Sequence, residues 1–450
     1  MNSVAISPLS FGEDQDLLPS SQSSPRGRRR IFPLLRGEGQ GEGRVHPFKR
    51  RSIHLGRGPE SVAAFVPREA RCGKVTEKPV VVHVFDGFRV GGTEVRTCGI
   101  INALKDAYRH VVVSSTGDFS AAALIDPAIE IQYVHPVQIQ GLFRPFALWR
   151  IAGMLKSFAP RLMIAYEWGA IDWVMANVFS RACPTLMTIE GFEEAELFAQ
   201  KRTRLFLRRI FYRRCEKVVA CSQALCRIAT QVWGLDNDRV LHIPNGVNCS
   251  NFSPALREEK REGVALGIVA SLIKLKNHDR LLRSLAELSP FFPLTLHIVG
   301  DGPERQRLEA ECRALGVAGQ VRFTGLLADP APILQKLDIF CLASDTEQMP
   351  LSVLEAMACG LPVVGTDVGD VKEMVAEANK RFIVAPGSAD AYTRALRELC
   401  ADRSLRQELG QANLQRCRKL YDEELMCKRY QALYAELTAM RPKRSMRCES

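Results

Sequence analysis

From residue 78 to residue 440, short apolar runs rich in β-branched residues alternate with stretches of helical period. Pro79-Val-Val-Val-His-Val-Phe85 is apolar at almost every position, the pattern of a strand covered on both faces, and a Gly-bearing loop follows it. Similar runs recur at 111–114, 161–165, 185–189, 218–220 and 240–243, and residues 146–158 between them have helical spacing. The turn-rich segment 244–254 and the charged run 257–262 separate this series from a second one, with runs at 264–270, 294–299, 321–324, 339–342 and 362–366. Within the second series, Leu281, Leu282, Leu285 and Leu288 fall on one face of a helix predicted over 278–289. Residues 390–440 keep helical period with no further strand. This alternation predicts an α/β protein of two Rossmann-like doubly wound halves facing across a cleft, followed by a helical tail. Ligands are expected at the carboxyl ends of the strands.

The expected organisation is a first half over 78–250, a second over 251–425, and a helix and tail over 426–450 packing back on the first half. Residues 1–77 are rich in Ser, Pro, Gly and Arg without sustained periodicity, and are expected to form a disordered basic extension. No apolar run approaches the roughly 20 residues that span a bilayer, and no secretory apolar segment follows Met1. The fourteen cysteines include no C-x-x-C pair and read as reduced thiols. Together these features point to a cytoplasmic protein.

The formal charge of +11 asks for an acidic partner. A net +5 of it lies in residues 1–77. On the folded body the surplus gathers in 201–214, where seven of fourteen residues are Lys or Arg, with Leu205, Phe206, Ile210 and Phe211 interleaved. That segment reads as an interfacial helix on an anionic membrane, peripheral to the inner face of the plasma membrane, as a helix on the first sheet with a basic outer face, or as both, one face packing while arginines reach headgroups. Diphosphate and anionic lipid fit the charge better than nucleic acid does.

The densest chemistry lies in Glu347-Gln-Met-Pro-Leu-Ser-Val-Leu-Glu355, in which two carboxylates stand eight positions apart. Pro350 suits a first helical position, leaving the amides of Leu351, Ser352 and Val353 free for an anion. Ionised carboxylates only accept hydrogen bonds, which suits Glu347 and Glu355 to the hydroxyls of a sugar or ribose. Glu355 sits among Leu354, Ala356, Met357 and Ala358, where an unpaired charge is costly.

This segment resembles the E-x7-E signature of retaining GT-B glycosyltransferases, in particular glycosyltransferase family 4. The similarity covers roughly residues 78–440, with Val90-Gly-Gly-Thr-Glu94, Ile243-Pro-Asn-Gly-Val247, Lys276-Asn277, Ile298-Val-Gly-Asp-Gly-Pro303 and Val321-Arg-Phe-Thr-Gly325 in the family's order. The resemblance implies a donor site of Gly91, Gly92, Lys274, Lys276, Asn277, Gly300, Gly302, Glu347, Met349, Pro350, Leu351, Ser352 and Glu355. In it Lys276 neutralises the departing diphosphate, Glu347 binds the donor sugar and Glu355 the ribose. It further implies transfer with retention, no metal and no cofactor beyond the nucleotide sugar, and a glycan or lipid-linked acceptor.

Two departures stand out. The family arginine beside the phosphate lysine is replaced by Ser271 or, in the numbering of some subgroups, Ile273, with Lys274 the nearest substitute. The family histidine of the first half is replaced by Glu190, in Thr188-Ile-Glu-Gly-Phe192, and Glu190 is taken as the polar group there. His83 and His135 read as structural residues, and Asp236-Asn-Asp238 as a solvated turn rather than a metal site. A GT-B epimerase or phosphorylase, or a non-catalytic membrane or nucleic-acid binder, remains an alternative. A dehydrogenase fits less well, because no G-x-G-x-x-G follows the first strand.

Overall fold

The computed structural model describes residues 78–136, 144–191, 202–254 and 262–440, all within one compact unit, Lys74–Ser450. The expectations for residues 1–77, for Phe192 and Lys201, for most of the charged run before residue 262 and for the tail beyond 440 fall outside the described residues.

The first half runs β1 (Val80–Phe85), α1 (Gly92–Leu104), β2 (Arg109–Ser114), β3 (Ile131–Val134), α2 (Arg144–Ser157), β4 (Leu162–Tyr166), α3 (Ile171–Ser180), β5 (Thr185–Ile189), α4 (Arg202–Phe211), β6 (Lys217–Ala220), α5 (Gln223–Arg227) and β7 (Val240–His242). The second half runs β8 (Val264–Val269), α6 (His278–Leu288), β9 (Leu294–Val299), α7 (Arg305–Ala314), β10 (Val321–Gly325), α8 (Ala331–Leu334), β11 (Ile339–Leu342), α9 (Leu351–Ala358), β12 (Val363–Thr366), α10 (Val371–Met374), β13 (Ile383–Val384) and α11 (Ala389–Ala401). Two long helices end the described chain, α12 (Arg403–Leu420) and α13 (Glu423–Ala439).

Both sheets are parallel throughout, in the orders β3-β2-β1-β4-β5-β6-β7 and β10-β9-β8-β11-β12-β13. In each, strand order reverses beside the first strand of the half, so the switch points lie between β1 and β4 and between β8 and β11. Those crevices are where open α/β sheets hold ligands.

The predicted strands are found because a strand covered on both faces must be apolar at nearly every position; all six residues of β1 are buried. The sequence reading missed β3 and β13. Each lies at a sheet edge; Ile131-Gln-Tyr-Val134 leaves Gln132 and Tyr133 exposed and so lacks the apolar run, and β13 is only two residues long.

Three apolar clusters fill the molecule. One includes residues of both halves and takes in α3, α9 and the inner face of the first sheet. Another lies under α6 and α11 of the second half. In the third, Met426, Tyr430, Leu433, Tyr434 and Leu437 of α13 pack with Val81, Phe85, Ile101 and Ile164 of the first half. To reach that position the chain crosses beside the inter-half connection, where Val247 and Asp422 form a parallel bridge. The Val247 amide donates to Tyr421 O at 2.8 Å, and the Glu423 amide to Val247 O at 2.9 Å. No helix among the described residues is long and apolar enough to cross a membrane.

Candidate active site

Glu347 lies in the loop after β11, and Lys276 in a tight turn after β8, so the two flank the switch point of the second sheet. Lys276 Nζ donates to Glu347 Oε1 at 2.6 Å, and the hydroxyl of buried Ser344 donates to the same oxygen at 2.8 Å. Side-chain exposures of 21% and 12% keep the pair in reach of a ligand while shielding it from bulk screening. Lys274 is exposed on the same turn. Asn277 has a left-handed backbone and caps α6, its side chain accepting from the Arg280 amide. Its amide group donates to Asp345 at 2.9 and 3.1 Å, so here it braces the loop leading to Glu347. Arg280 ties that loop down as well, through Asp345 at 2.8 Å and the carbonyl of Ala343.

Pro350 differs from its expected place. It is the cap before α9, with extended ψ of 126°, and the helix begins at Leu351. The Val353 amide is bonded to Pro350 O at 3.2 Å, which leaves the Leu351 and Ser352 amides as the donors at the helix start. Glu355 is half-buried one turn into α9, and burial, with Asp329 nearby, pushes its carboxyl up to about 7. Gly300 and Gly302 have φ of 138° and 159°, and a Cβ at either position would collide with the carbonyls of Ala270 and Leu272. Their freedom therefore lets the β9 loop press on the loop that leads to Lys276.

The first half meets this loop directly. A Cβ added at Gly92 would lie 3.8 Å from Leu351 Cδ1, so the loop after β1 faces the start of α9. Buried Asn245 donates to Met349 O at 2.8 Å. Ser222 Oγ donates to Gln348 Oε1 at 3.2 Å. Asp370, 6% exposed, accepts the amides of Gln223 and Ala224 at 2.6 and 3.1 Å, and its own amide donates to Gln348 O at 2.8 Å. Three contacts from the first half thus converge on Gln348, Met349 and Leu351.

Glu190 ends β5. Its carboxylate accepts from Thr93 Oγ1 at 2.9 Å and pairs with Arg96, which also donates to Asn245 Oδ1 at 3.3 Å. Arg96 is 3% exposed, and a polar chain runs from Glu190 through Arg96 and Asn245 to Met349. Two more carboxyls share this pocket: Glu94, pushed up to about 7 by burial and by Glu190, and Glu167, pushed up to about 8 by the same causes. Arg96, Asp370 and Glu167 were not singled out from sequence, and Asn245 entered only within the block Ile243–Val247.

The other candidates have structural partners. His83 is buried, sharing hydrogen bonds with Tyr166 Oη at 2.9 Å and His110 Nδ1 at 3.0 Å. The ring of His135 lies against Gly117. Asp236 pairs with Arg239 at 3.4 Å in an exposed turn. No group of three or more metal-ligating side chains gathers among the described residues, and all twelve described cysteines are free thiols. In the basic segment, Arg208 is buried, stacked over Trp168 and Trp233. Arg209 and Arg213 bond the carbonyls of Val232 and Gly234 at 2.8 and 2.5 Å. Those bonds tie the segment to residues 232–234, while Arg202, Phe206, Arg209, Arg213 and Arg214 are exposed to solvent.

Similarity to known proteins follows the same division. The family model Glycosyltransferase Family 4 matches residues 90–251, and Glycosyl transferases group 1 matches residues 253–416. The chain is 35% identical over 179 residues to the GDP-mannose-dependent alpha-(1-6)-phosphatidylinositol monomannoside mannosyltransferase of Mycolicibacterium smegmatis, a match covering 36% of this chain and 47% of that protein. It is 32% identical over 139 residues to the lipopolysaccharide core biosynthesis glycosyltransferase LpsE of Rhizobium meliloti, covering 31% of this chain and 40% of LpsE. The chain thus spans less than half the length of these two relatives. The structure of Anabaena HepE in complex with UDP superimposes with a TM-score of 0.68 at 18% identity, over 80% of this chain and all of that one. With one family model matched to each Rossmann-like half, in chain order, and the architecture shared with HepE, the chain belongs to the group 1, family 4 glycosyltransferases of GT-B fold.

Proposed function

We propose that this protein transfers a sugar from a nucleotide diphosphate sugar to a hydroxyl of a glycan or lipid-linked acceptor, with retention at the anomeric carbon and without a metal ion or other cofactor. The observation that carries this reading is the Lys276–Glu347 pair at the second switch point, beside the start of α9 and opposite Gly92. The lysine and the free amides of Leu351 and Ser352 suit a diphosphate whose charge grows as its bond to the sugar breaks. Glu347, held by Ser344, suits the sugar hydroxyls, and half-buried Glu355 suits the ribose. Positioning and electrostatics then supply the catalysis, with the departing diphosphate available to take the acceptor proton. The relatives' names, a mannosyltransferase of phosphatidylinositol mannoside and a lipopolysaccharide core enzyme, and the UDP held by HepE support this class of donor and acceptor.

The test begins with a thermal-shift screen of UDP and GDP, followed by product analysis with the matching sugar nucleotides. NMR of the product reads the anomeric configuration. Glu347→Ala and Lys276→Ala are expected to lose roughly 10²- to 10³-fold in turnover while keeping their far-UV circular dichroism. Full activity in both variants refutes the site, and a free epimerised sugar nucleotide or a sugar phosphate as product favours the epimerase or phosphorylase reading.

A further inference from the structure

Glu167 has no assigned role, and its backbone is the one that sets it apart. It follows β4, at the first-half switch point beside β1, with φ of 58° and ψ of −172°. That region is open to glycine and strained for any residue with a Cβ. A glutamate kept there gives up stability, and such strain gathers at functional sites. What the strain accomplishes is visible in the contacts. The Glu167 amide donates to Thr188 O at 3.1 Å, and the side chain turns back so that Oε1 accepts the Glu190 amide at 2.5 Å. Glu190 is thereby held at both ends, its carboxylate by Thr93 and Arg96 and its main chain by Glu167.

We propose that Glu167 is a positioning residue, which fixes the main chain of Glu190 so that the Glu190 carboxylate faces the acceptor side of the cleft. This rests on the transfer reading of the site. Glu167 works in its neutral form, because burial and Glu190 push its carboxyl up to about 8. The charged and titratable groups around it are Glu190 after β5, Arg96 on α1, Arg208 on α4, Tyr212 just after α4 and Cys221 after β6. A neutral carboxyl has an isosteric mimic in glutamine, whose amide oxygen can accept the same bond.

Three proteins decide the matter: wild type, Glu167→Gln and Glu167→Gly. Glycine relieves the backbone while removing the acceptor of the Glu190 amide, two effects of opposite sign, so E167G is expected to fold with a cooperative melt. Its kcat, measured as release of the nucleoside diphosphate from the sugar nucleotide that the donor screen selects, is expected to fall between about 10- and 100-fold, with donor KM within about threefold. E167Q is expected to retain kcat within about threefold of wild type. Undiminished kcat in E167G, or E167Q as slow as E167G, overturns the inference. Absence of turnover in wild type with every sugar nucleotide tested refutes the transfer reading instead, so the two failures are distinguishable.

Discussion

At the scale of single residues, burial of carboxyls sets the electrostatics of both sides of the cleft. Glu355 carries a carboxyl raised to about 7 against a usual value of 4.5, so the folded state holds its proton more tightly than the unfolded chain does. Stability from that site is complete below pH 4.5 and is lost as pH rises through about 7. Glu355→Gln is therefore expected to be nearly neutral at pH 5 and to stabilise the unliganded protein at pH 8, by up to about 3 kcal/mol. Urea melts of both proteins at the two pH values check this; equal differences at both would show that Glu355 is not buried against its charge. The sequence already hinted at the effect, because Glu355 stands among four apolar neighbours. Glu167 gave no such hint: its setting comes from a φ value and from a partner on the next strand, and neither leaves a period or a motif.

At the scale of elements, the loop between β11 and α9 owes its shape to the opposite half. Asp370 bonds two amides at the start of α5 and, through its own amide, the Gln348 carbonyl one residue after Glu347. Asp370→Ala leaves two amides without an acceptor and is expected to cost about 1–3 kcal/mol. Small-angle scattering of the same variant without donor should show a larger radius of gyration, since a strut between the halves is gone. An unchanged radius and an unchanged melt would mean that the other contacts suffice. Strands were legible where they carry an apolar run, at the edges β7 and β10 as well as inside the sheets. They were missed where the run is broken or very short, as in β3, which shows two of its four side chains to solvent, and in two-residue β13. The same distinction applies to the site. Glu347, Glu355 and Lys276 sit in short local blocks, whereas Arg96 meets Glu190 94 positions away and Gln223 meets Asp370 147 positions away. Contacts of that separation are set by topology, which places both at the carboxyl ends of strands.

At the scale of the whole molecule, α13 makes the first half incomplete without the chain's far end. Its six buried apolar residues, Met426, Cys427, Tyr430, Leu433, Tyr434 and Leu437, belong to the first-half core. At roughly 1.5–3 kcal/mol for each large side chain, their loss matches or exceeds the net stability of an ordinary domain. Truncation after Tyr421 is accordingly expected to yield insoluble protein, and co-expression of residues 422–440 to restore soluble material. Soluble, cooperatively melting protein from the truncated chain alone would contradict this. It also follows that residues 78–250 are not a self-sufficient fragment, although the strand pattern suggests a boundary there.

The bridge between Val247 and Asp422 has a mechanical consequence. Two separate passages of backbone join the halves, and hydrogen bonds on both sides of Val247 fasten one passage to the other. A single linker would permit the halves to swivel in any direction; a doubled and laced one leaves bending about a line through the lacing as the soft motion. Any opening of the halves is therefore expected to run about that line, as a book opens on its spine, keeping Gly92, Asn245 and Ser222 aligned with Leu351, Met349 and Gln348.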